Sequence, residues 1–224
     1  MSEQVWWFVT RATGMVTWAL ATATVLWGLG VTSKPFGKKP APAWMLDLHR
    51  YLGALTMLFL AGHLGALVAD TFTTWTLVDL AVPYANPWKP GAVAWGIIAA
   101  WLLVAVEVSS VLLRHLPRVW WRRLHLTSYA VFVAATLHFL AAGTDAEHPA
   151  VRITVAAAAV AVGALTAFRI RQGRQKAKRR AAPSAGTGRR PVPSRSGPSA
   201  SEQAPSAPAP SAPPAPTREP VRTA

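Results

Sequence analysis

Residues 49–63 of the chain read HRYLGALTMLFLAGH, and residues 125–138 read HLTSYAVFVAATLH. Both stretches are apolar along nearly their whole length. Each is bounded by two histidines, fourteen residues apart in the first stretch and thirteen in the second. An ionisable side chain inside such a run is costly in a membrane and therefore indicates a function. On a helix this spacing is a rise of about 20 Å, or about two-thirds of the hydrocarbon core of a bilayer.

The composition predicts an all-α integral membrane protein. Hydrophobic residues make up 52% of the 224 positions, yet the formal net charge is +14. The two excesses are separate, because apolar residues fill positions 1–170 and basic residues crowd the loops and the tail. Runs of about 20 apolar residues are long enough to cross a bilayer. They predict a bundle of five transmembrane helices, which are Val5–Val31, Leu46–Ala69, Ala92–Leu113, Leu124–Ala142 and Val151–Ile170.

The charges of the connecting segments predict the orientation of the five spans. Basic residues follow the first, third and fifth spans; they are Lys34, Lys38, Lys39, Arg114, Arg118, Arg122, Arg123 and the cluster from Arg169 to Arg180. The other two loops carry a mixture of charges, which are Asp70, Asp79, Lys89, Asp145, Glu147 and Arg152. Positive segments stay on the cytoplasmic side. We therefore expect a multi-pass protein of a cell inner or plasma membrane, with its N-terminus outside and its C-terminus in the cytoplasm.

The composition changes after residue 170, so we divide the chain into a membrane domain, 1–170, and a tail, 171–224. More than half of the 19 prolines lie in this tail, mixed with Ala, Ser and scattered Arg. Such a segment buries too little apolar surface to offset chain entropy, and we expect it to be disordered. Its basic beginning suits anionic lipid, with an acidic protein partner as the alternative. Nucleic-acid binding is not expected, because no recognition motif accompanies the charge.

The chain contains no cysteine. This excludes disulfides, cysteine-ligated iron–sulfur clusters, covalently attached c-type haem and thiol catalysis. No glycine-rich dinucleotide fingerprint of the G-x-G-x-x-G type occurs either. Any redox chemistry must therefore use a cofactor held by other ligands, and we expect the electrons to come from a separate donor rather than from NAD(P)H bound by these residues.

The four histidines form two layers in the predicted topology. Spans two and four run in the same direction, so that His49 and His125 lie near the inner face and His63 and His138 near the outer face. Two neutral imidazoles fill both axial positions of a haem iron. We therefore expect two stacked bis-histidine haems. The alternatives are histidines that only pack and hydrogen-bond, and a metal-transport path, although such a path would usually add carboxylate, Met or Cys ligands.

The two histidine spans differ in helical phase. At 100° per residue, fourteen residues bring His63 to within about 40° of His49, whereas thirteen leave His138 about 140° from His125. Span four must therefore tilt, overwind locally or hold its haems in rotated planes.

Glycines flank the histidines of span two. Gly53, Gly62 and Gly65 lower the helix wall beside His49 and His63, as a flat macrocycle would require. Close helix–helix packing, which is common in membranes, explains the same glycines equally well.

Three short motifs resemble the ferric reductase-like transmembrane family. His49-Arg50-Tyr51-Leu52-Gly53, with His63 beyond it, is similar to that family's first haem helix. Trp121-Arg122-Arg123-Leu124-His125, followed by His138 and Gly143-Thr144-Asp145, resembles its second haem helix and the loop after it. Arg11-Ala12-Thr13-Gly14 resembles the opening of its first core helix. The resemblance extends over about residues 5–170.

This family includes the membrane domains of NADPH oxidases and ferric reductases and the haem-bearing subunit of periplasmic methionine sulfoxide reductase systems. The resemblance implies two b-type haems, an inner one held by His49 and His125 and an outer one held by His63 and His138. It also implies electron flow from a cytoplasmic flavoprotein or a membrane quinol to an external acceptor, which is ferric iron, oxygen or a partner oxidoreductase. The chain would then be the electron-transfer subunit of an oxidoreductase and carry no catalytic residue of its own. The alternative is a non-catalytic haem sensor or scaffold whose tail recruits a partner.

Charged residues inside the spans need partners, and haem propionates are suitable partners for cations. We expect Arg50 to meet the inner propionates and Arg11 the outer ones or an anionic acceptor, with snorkelling to the headgroups as the alternative for both. Glu107 is expected to pair with Arg50, or else to relay a proton. His115 and His148 are expected to be interfacial, although His148 is also a candidate contact for the acceptor.

Overall fold

The computed structural model describes residues 2–33, 42–70 and 75–181, and these residues form helices joined by loops, with no strand among them. The helices are α1 (Ser2–Ser33), α2 (Ala43–Ala69), α3 (Leu77–Ala81), α4 (Pro90–Val111), α5 (Arg118–Leu126), α6 (Ser128–Ala142) and α7 (Pro149–Ala181). A short 3₁₀ turn, Leu112–Arg114, follows α4.

Five helical segments are long and apolar enough to cross a membrane, which confirms the five predicted spans. They are Gln4–Thr32, Ala43–Ala69, Pro90–Arg114, Arg118–Ala142 and Pro149–Arg179. Proline occupies the first position of both α4 and α7, where its missing N–H removes no helical hydrogen bond. The architecture is that of a multi-pass membrane protein.

Helices α2 and α6, which carry His49, His63 and His138, stand on a diagonal of the bundle, and His125 lies on α5, just before α6. Helix α1 packs along α2 and also touches α6, while α4 packs along α6 and also touches α2. In contrast, α2 and α6 make little direct contact between their backbones. Helices α1, α2, α4 and α6 therefore surround a central space, and α7 packs outside them against α1.

Small residues mediate several of these contacts. Ala21 on α1, Ala66 on α2, Ala94 on α4 and Ala134 on α6 are all buried, as expected where membrane helices approach one another closely. A separate apolar cluster, centred on Leu29, Phe132 and Val162, holds α7 against α1 and α6. The small residues let the helices pack closely.

The two ends of the bundle carry different charges. At one end of the bundle, which we call the basic end, helices α1, α4 and α7 end and helices α2 and α5 begin. The described cations at this end include Arg114, Arg118, Arg122, Arg123 and Arg169. At the other, the aspartate end, α1 begins and the loops after α2 and α6 carry Asp70, Asp79 and Asp145. The predicted cationic loop with Lys34, Lys38 and Lys39 lies outside the described residues.

Helix α7 continues past Ile170, where the last span was predicted to finish, and ends at Ala181. The first part of the predicted disordered tail is therefore helical. The reason is local, because residues 171–181 are mostly Arg, Lys, Gln and Ala, which are among the best helix formers. The predicted disorder of residues 182–224 lies outside the described residues.

Span four is two helices rather than the single predicted helix Leu124–Ala142. Helix α5 ends at Leu126 and α6 begins at Ser128. Between them, the Thr127 N–H donates to the Leu124 carbonyl at 3.0 Å, and the Thr127 hydroxyl donates to the same oxygen at 2.6 Å. A threonine hydroxyl competes in this way with the helical ladder. The resulting turn is tighter than an α-helix, and a tight turn adds rotation per residue.

Candidate functional site

The predicted pairing of the four histidines is found in the structure. The ring centres of His49 and His125 are 6.0 Å apart, with their planes at 72°. Those of His63 and His138 are 6.5 Å apart, with their planes at 75°. We call these the basic-end pair and the aspartate-end pair. The basic-end pair joins α2 to α5 and the aspartate-end pair joins α2 to α6, so that the pairs lie at two depths in the bundle.

The spacing within each pair suits one metal ion between two imidazoles. A metal–imidazole nitrogen bond is about 2 Å long, so two rings that face one ion from opposite sides have centres about 6 Å apart. Two imidazoles alone are too few ligands for a protein-only site. The described residues contain no group of three or more His, Cys, Asp or Glu able to hold a metal. The donor set therefore fits a haem, whose macrocycle supplies the remaining nitrogens.

Backbone carbonyls orient both rings of the aspartate-end pair. Nδ1 of His63 donates to the Thr10 carbonyl on α1 at 2.9 Å, and Nδ1 of His138 donates to the Ala92 carbonyl on α4 at 2.8 Å. A carbonyl only accepts, so each Nδ1 carries the proton in the neutral ring. Each Nε2 then keeps a lone pair for a metal, which is the usual arrangement for a ligating histidine.

The basic-end pair is held differently. Nδ1 of His49 and Nδ1 of His125 are buried and have no hydrogen-bond partner among the described residues. A backbone group of Thr24 lies near the His49 ring, but no hydrogen bond of normal geometry joins them. The His125 ring instead stacks on Trp121, with ring centres 5.0 Å apart and planes at 22°. Stacking fixes the plane of the ring but leaves its tautomer undetermined.

A cavity of about 840 Å³ opens beside the aspartate-end pair. His63 and His138 both line it, and its other walls are mostly apolar and aromatic, with Trp18 and Phe139 stacked against each other at 5.1 Å. Binding cavities for large organic ligands have volumes of about 300–1,000 Å³ and largely apolar walls. The cavity therefore has the size and lining of a site for a large organic ligand, with two imidazoles at its wall.

Arg11 and Asp145 form a two-point ion pair at this cavity. Nε and Nη2 of Arg11 donate to the two carboxylate oxygens of Asp145, and both residues line the cavity. The guanidinium also lies 5.0 Å from the centre of the Trp7 ring. Two of the short motifs noted in the sequence, one at Arg11 and one ending at Asp145, thus meet beside the aspartate-end pair. The predicted contact of Arg11 with a propionate stays a prediction.

The predicted pairing of Arg50 with Glu107 is wrong. Arg50 lies 3.5 Å from Asp47, one turn earlier on α2, and both side chains are largely exposed. Its long side chain reaches out of the bundle, as arginines near helix ends commonly do. Glu107 instead packs against Gly53 on α2, where a Cβ would lie 2.6 Å from Oε1. The predicted contact of Arg50 with a propionate stays a prediction.

The two remaining histidines lie outside both pairs. His115 is exposed at the basic end, after the 3₁₀ turn. His148 is exposed just before α7, and its Nδ1 accepts from the Ala150 N–H at 3.3 Å, which caps the first turn of that helix. Both positions agree with the interfacial placement expected from the sequence.

The glycines that lie against the histidine rings are on α1 and α4, and the predicted room for a macrocycle beside Gly53, Gly62 and Gly65 stays a prediction. Gly62 packs against Thr13 and Gly65 faces open space, so that neither contacts a histidine. The rings lie instead against Gly14 and Gly28 on α1 and Gly96 on α4. A signal was present in the sequence, because Gly14 and Gly28 are fourteen residues apart, the same spacing as His63 and His49.

No family model matches the chain, and neither a curated protein nor a solved structure matches it.

Proposed function

We propose that the chain is a membrane cytochrome b that carries electrons across the bilayer through two b-type haems. His49 and His125 would hold one haem, and His63 and His138 the other. The observation that carries this proposal is the repeated 6.0–6.5 Å spacing of paired imidazoles at two depths, between α2 and α5 at one and between α2 and α6 at the other. A bound haem would supply one-electron redox chemistry at each pair.

The residues around the pairs have defined tasks in this proposal. The carbonyls of Thr10 and Ala92 keep Nε2 of His63 and His138 unprotonated and aimed into the central space. The apolar walls of the cavity limit access of water. The two layers lie about 20 Å apart along α2, so that together they extend across most of the hydrocarbon core.

The different charges at the two ends of the bundle suggest the direction of electron transfer. We place the basic end in the cytoplasm by the positive-inside rule and the aspartate end outside. The donor would then be a cytoplasmic flavoprotein or a membrane quinol that reaches the basic-end pair. The acceptor would be ferric iron, oxygen or a partner oxidoreductase at the aspartate end. The resemblance to ferric reductase-like proteins favours this direction, and the basic end of α7 suits contact with anionic lipid.

Haem content tests the proposal directly. The protein purified from an overexpressing cell should contain about two b-type haems per chain, with the low-spin spectrum of bis-histidine coordination after reduction by dithionite. Variants His115→Ala and His148→Ala serve as matched controls, because both side chains are exposed outside the pairs, and they should retain both haems. A chain that binds no haem would overturn the proposal.

Electron transfer needs a second test, which separates a conductor from a haem sensor. In intact right-side-out vesicles, a membrane-impermeant acceptor should oxidise the reduced haems from the aspartate end. His63→Leu removes one ligand without adding charge and should stop this oxidation, while the basic-end haem is still reduced from the cytoplasmic face. Equal rates in the variant and the parent would contradict the two-haem path.

A further inference from the structure

Two histidines, His63 and His138, contact their neighbouring helices in the same way, and a third, His49, shares part of the arrangement. His63 donates to the carbonyl of Thr10, and the ring lies against Gly14, four residues later on α1. His138 donates to the carbonyl of Ala92, and the ring lies against Gly96, four residues later on α4. The same arrangement of acceptor and glycine therefore occurs on two helices that do not pack against each other.

Helix geometry explains why the glycine follows the acceptor by four residues. In an α-helix the carbonyl of one residue points at the N–H of the fourth residue after it. The Cβ of that fourth residue therefore stands beside the oxygen and obstructs any side chain that approaches from outside. Glycine has no Cβ and allows close approach to the backbone.

The distances show that a Cβ at Gly96 would collide with the ring of His138, and that a Cβ at Gly14 would press on the ring of His63, which would have to shift by a few tenths of an ångström. A Cβ at Gly96 would lie 2.7 Å from Nδ1 and 2.8 Å from Cε1 of His138. A Cβ at Gly14 would lie 3.0 Å from Cε1 and 3.1 Å from Nδ1 of His63. Carbon atoms in favourable contact are about 3.5–4.0 Å apart. An imidazole is a rigid ring, so it cannot bend away and must move as a whole.

The third instance concerns His49 of the basic-end pair. A Cβ at Gly28 would lie 2.9 Å from Cε1 and 3.4 Å from Nδ1 of His49. Gly28 comes four residues after Thr24, whose backbone lies near this ring. The room for the ring is therefore present, although no hydrogen bond of normal geometry is made.

The fourth histidine, His125, has no glycine at the corresponding position of the neighbouring helix. The position on α4 that corresponds to Gly96, fourteen residues later, is Ser110. Its hydroxyl donates to the Val106 carbonyl at 2.8 Å, and the Ser109 hydroxyl donates to the same oxygen at 2.9 Å. Nδ1 of His125 has no hydrogen-bond partner among the described residues.

We propose that Gly14 and Gly96 are positioning residues, which admit the rings of His63 and His138 to a backbone carbonyl one turn earlier and thereby fix Nε2 as the ligand atom. Gly28 provides the same room for His49. This inference rests on the proposed function, since it assigns the residues that set the coordination of the aspartate-end haem.

The test compares alanine variants of glycines that do and do not touch a ring. Gly96→Ala and Gly14→Ala should weaken haem retention at the aspartate end, roughly 10- to 100-fold, as loss of a partner outside the ligand shell typically does. The haem that remains there should have a higher reduction potential, because a ligand that loses its Nδ1–H···O bond is less basic. Gly91→Ala and Gly163→Ala are the controls, because a Cβ at either position meets nothing within 4 Å, and Gly91 lies on the same helix as Gly96.

Two measurements distinguish the possible outcomes. Haem per chain and a potentiometric titration are recorded for the full-length protein, with helix content as a check on folding. Alanine is a better helix former than glycine, so weaker helix formation would not explain a loss. If Gly96→Ala does not accumulate, Gly14→Ala decides, since its contact is less severe. The inference would be overturned if the parent binds two haems and Gly14→Ala has the same haem content and the same reduction potential as the control variants. A parent without haem would instead overturn the proposed function.

Discussion

The two histidine pairs have nearly the same geometry but are held by different contacts. Ring separations of 6.0 and 6.5 Å and interplanar angles of 72° and 75° are close to identical. At the aspartate end, both rings donate to backbone carbonyls. At the basic end, neither Nδ1 has a partner among the described residues, and His125 stacks on Trp121. Helix packing therefore sets the distance between paired rings, while local partners set the orientation of each ring.

Loss of a ligand should have the largest effect and shows whether the two pairs are independent. His49→Ala or His125→Ala should empty the basic-end site and leave the aspartate-end site occupied, so that haem per chain falls to about half. His138→Ala should do the opposite. The measurement is haem content together with the reduced spectrum of each purified variant.

The helix content of each variant is measured as a check that it has folded. If every single variant loses all haem while remaining helical, the two pairs act as one unit and the comparison between them fails. If no variant loses any haem, the assignment of ligands is wrong.

Removal of the stacked ring should have an intermediate effect, confined to the basic end. Trp121→Ala takes away the surface against which His125 packs, whereas Trp121→Phe keeps an aromatic face. We expect Trp121→Ala to broaden or shift the spectrum of the basic-end haem and to leave the other haem unchanged. Trp121→Phe should resemble the parent. An unchanged spectrum in Trp121→Ala would show that the stack does not orient His125.

The ion pairs at the two ends should differ in their contribution to stability. The Arg11 and Asp145 side chains are 35% and 21% exposed, whereas those of Arg50 and Asp47 are 66% and 69% exposed, with 3.5 Å between the charged atoms. Asp145→Ala should lower the free energy of unfolding by about 1–3 kcal/mol, as loss of a charged hydrogen bond does. Asp47→Ala should lower it by less than about 0.5 kcal/mol.

Double-mutant cycles with Arg11→Ala and Arg50→Ala isolate the two coupling energies. The unfolding of each detergent-solubilised variant is followed by circular dichroism. A coupling energy between Arg50 and Asp47 as large as that between Arg11 and Asp145 would contradict the difference in burial.

Much of the fold could be predicted because its signals are local. Five apolar runs identify five spans, since the bilayer demands a fixed length of apolar helix. The pairing of His49 with His125 and of His63 with His138 also followed from the sequence, because the two spacings are nearly equal. The end of α7 was predicted too early, since hydropathy alone does not register that Arg, Lys and Gln continue a helix well.

The sequence by itself thus determined how many helices cross the membrane and which histidines share a depth, because both depend on rise along a single helix. The tertiary structure decided everything that depends on the space between helices. It broke span four at Thr127, paired Arg11 with Asp145, and kept Glu107 away from Arg50. It also placed Gly14, Gly28 and Gly96 against the imidazoles. The physical reason is that a missing Cβ matters only where another helix brings a ring into the space it leaves.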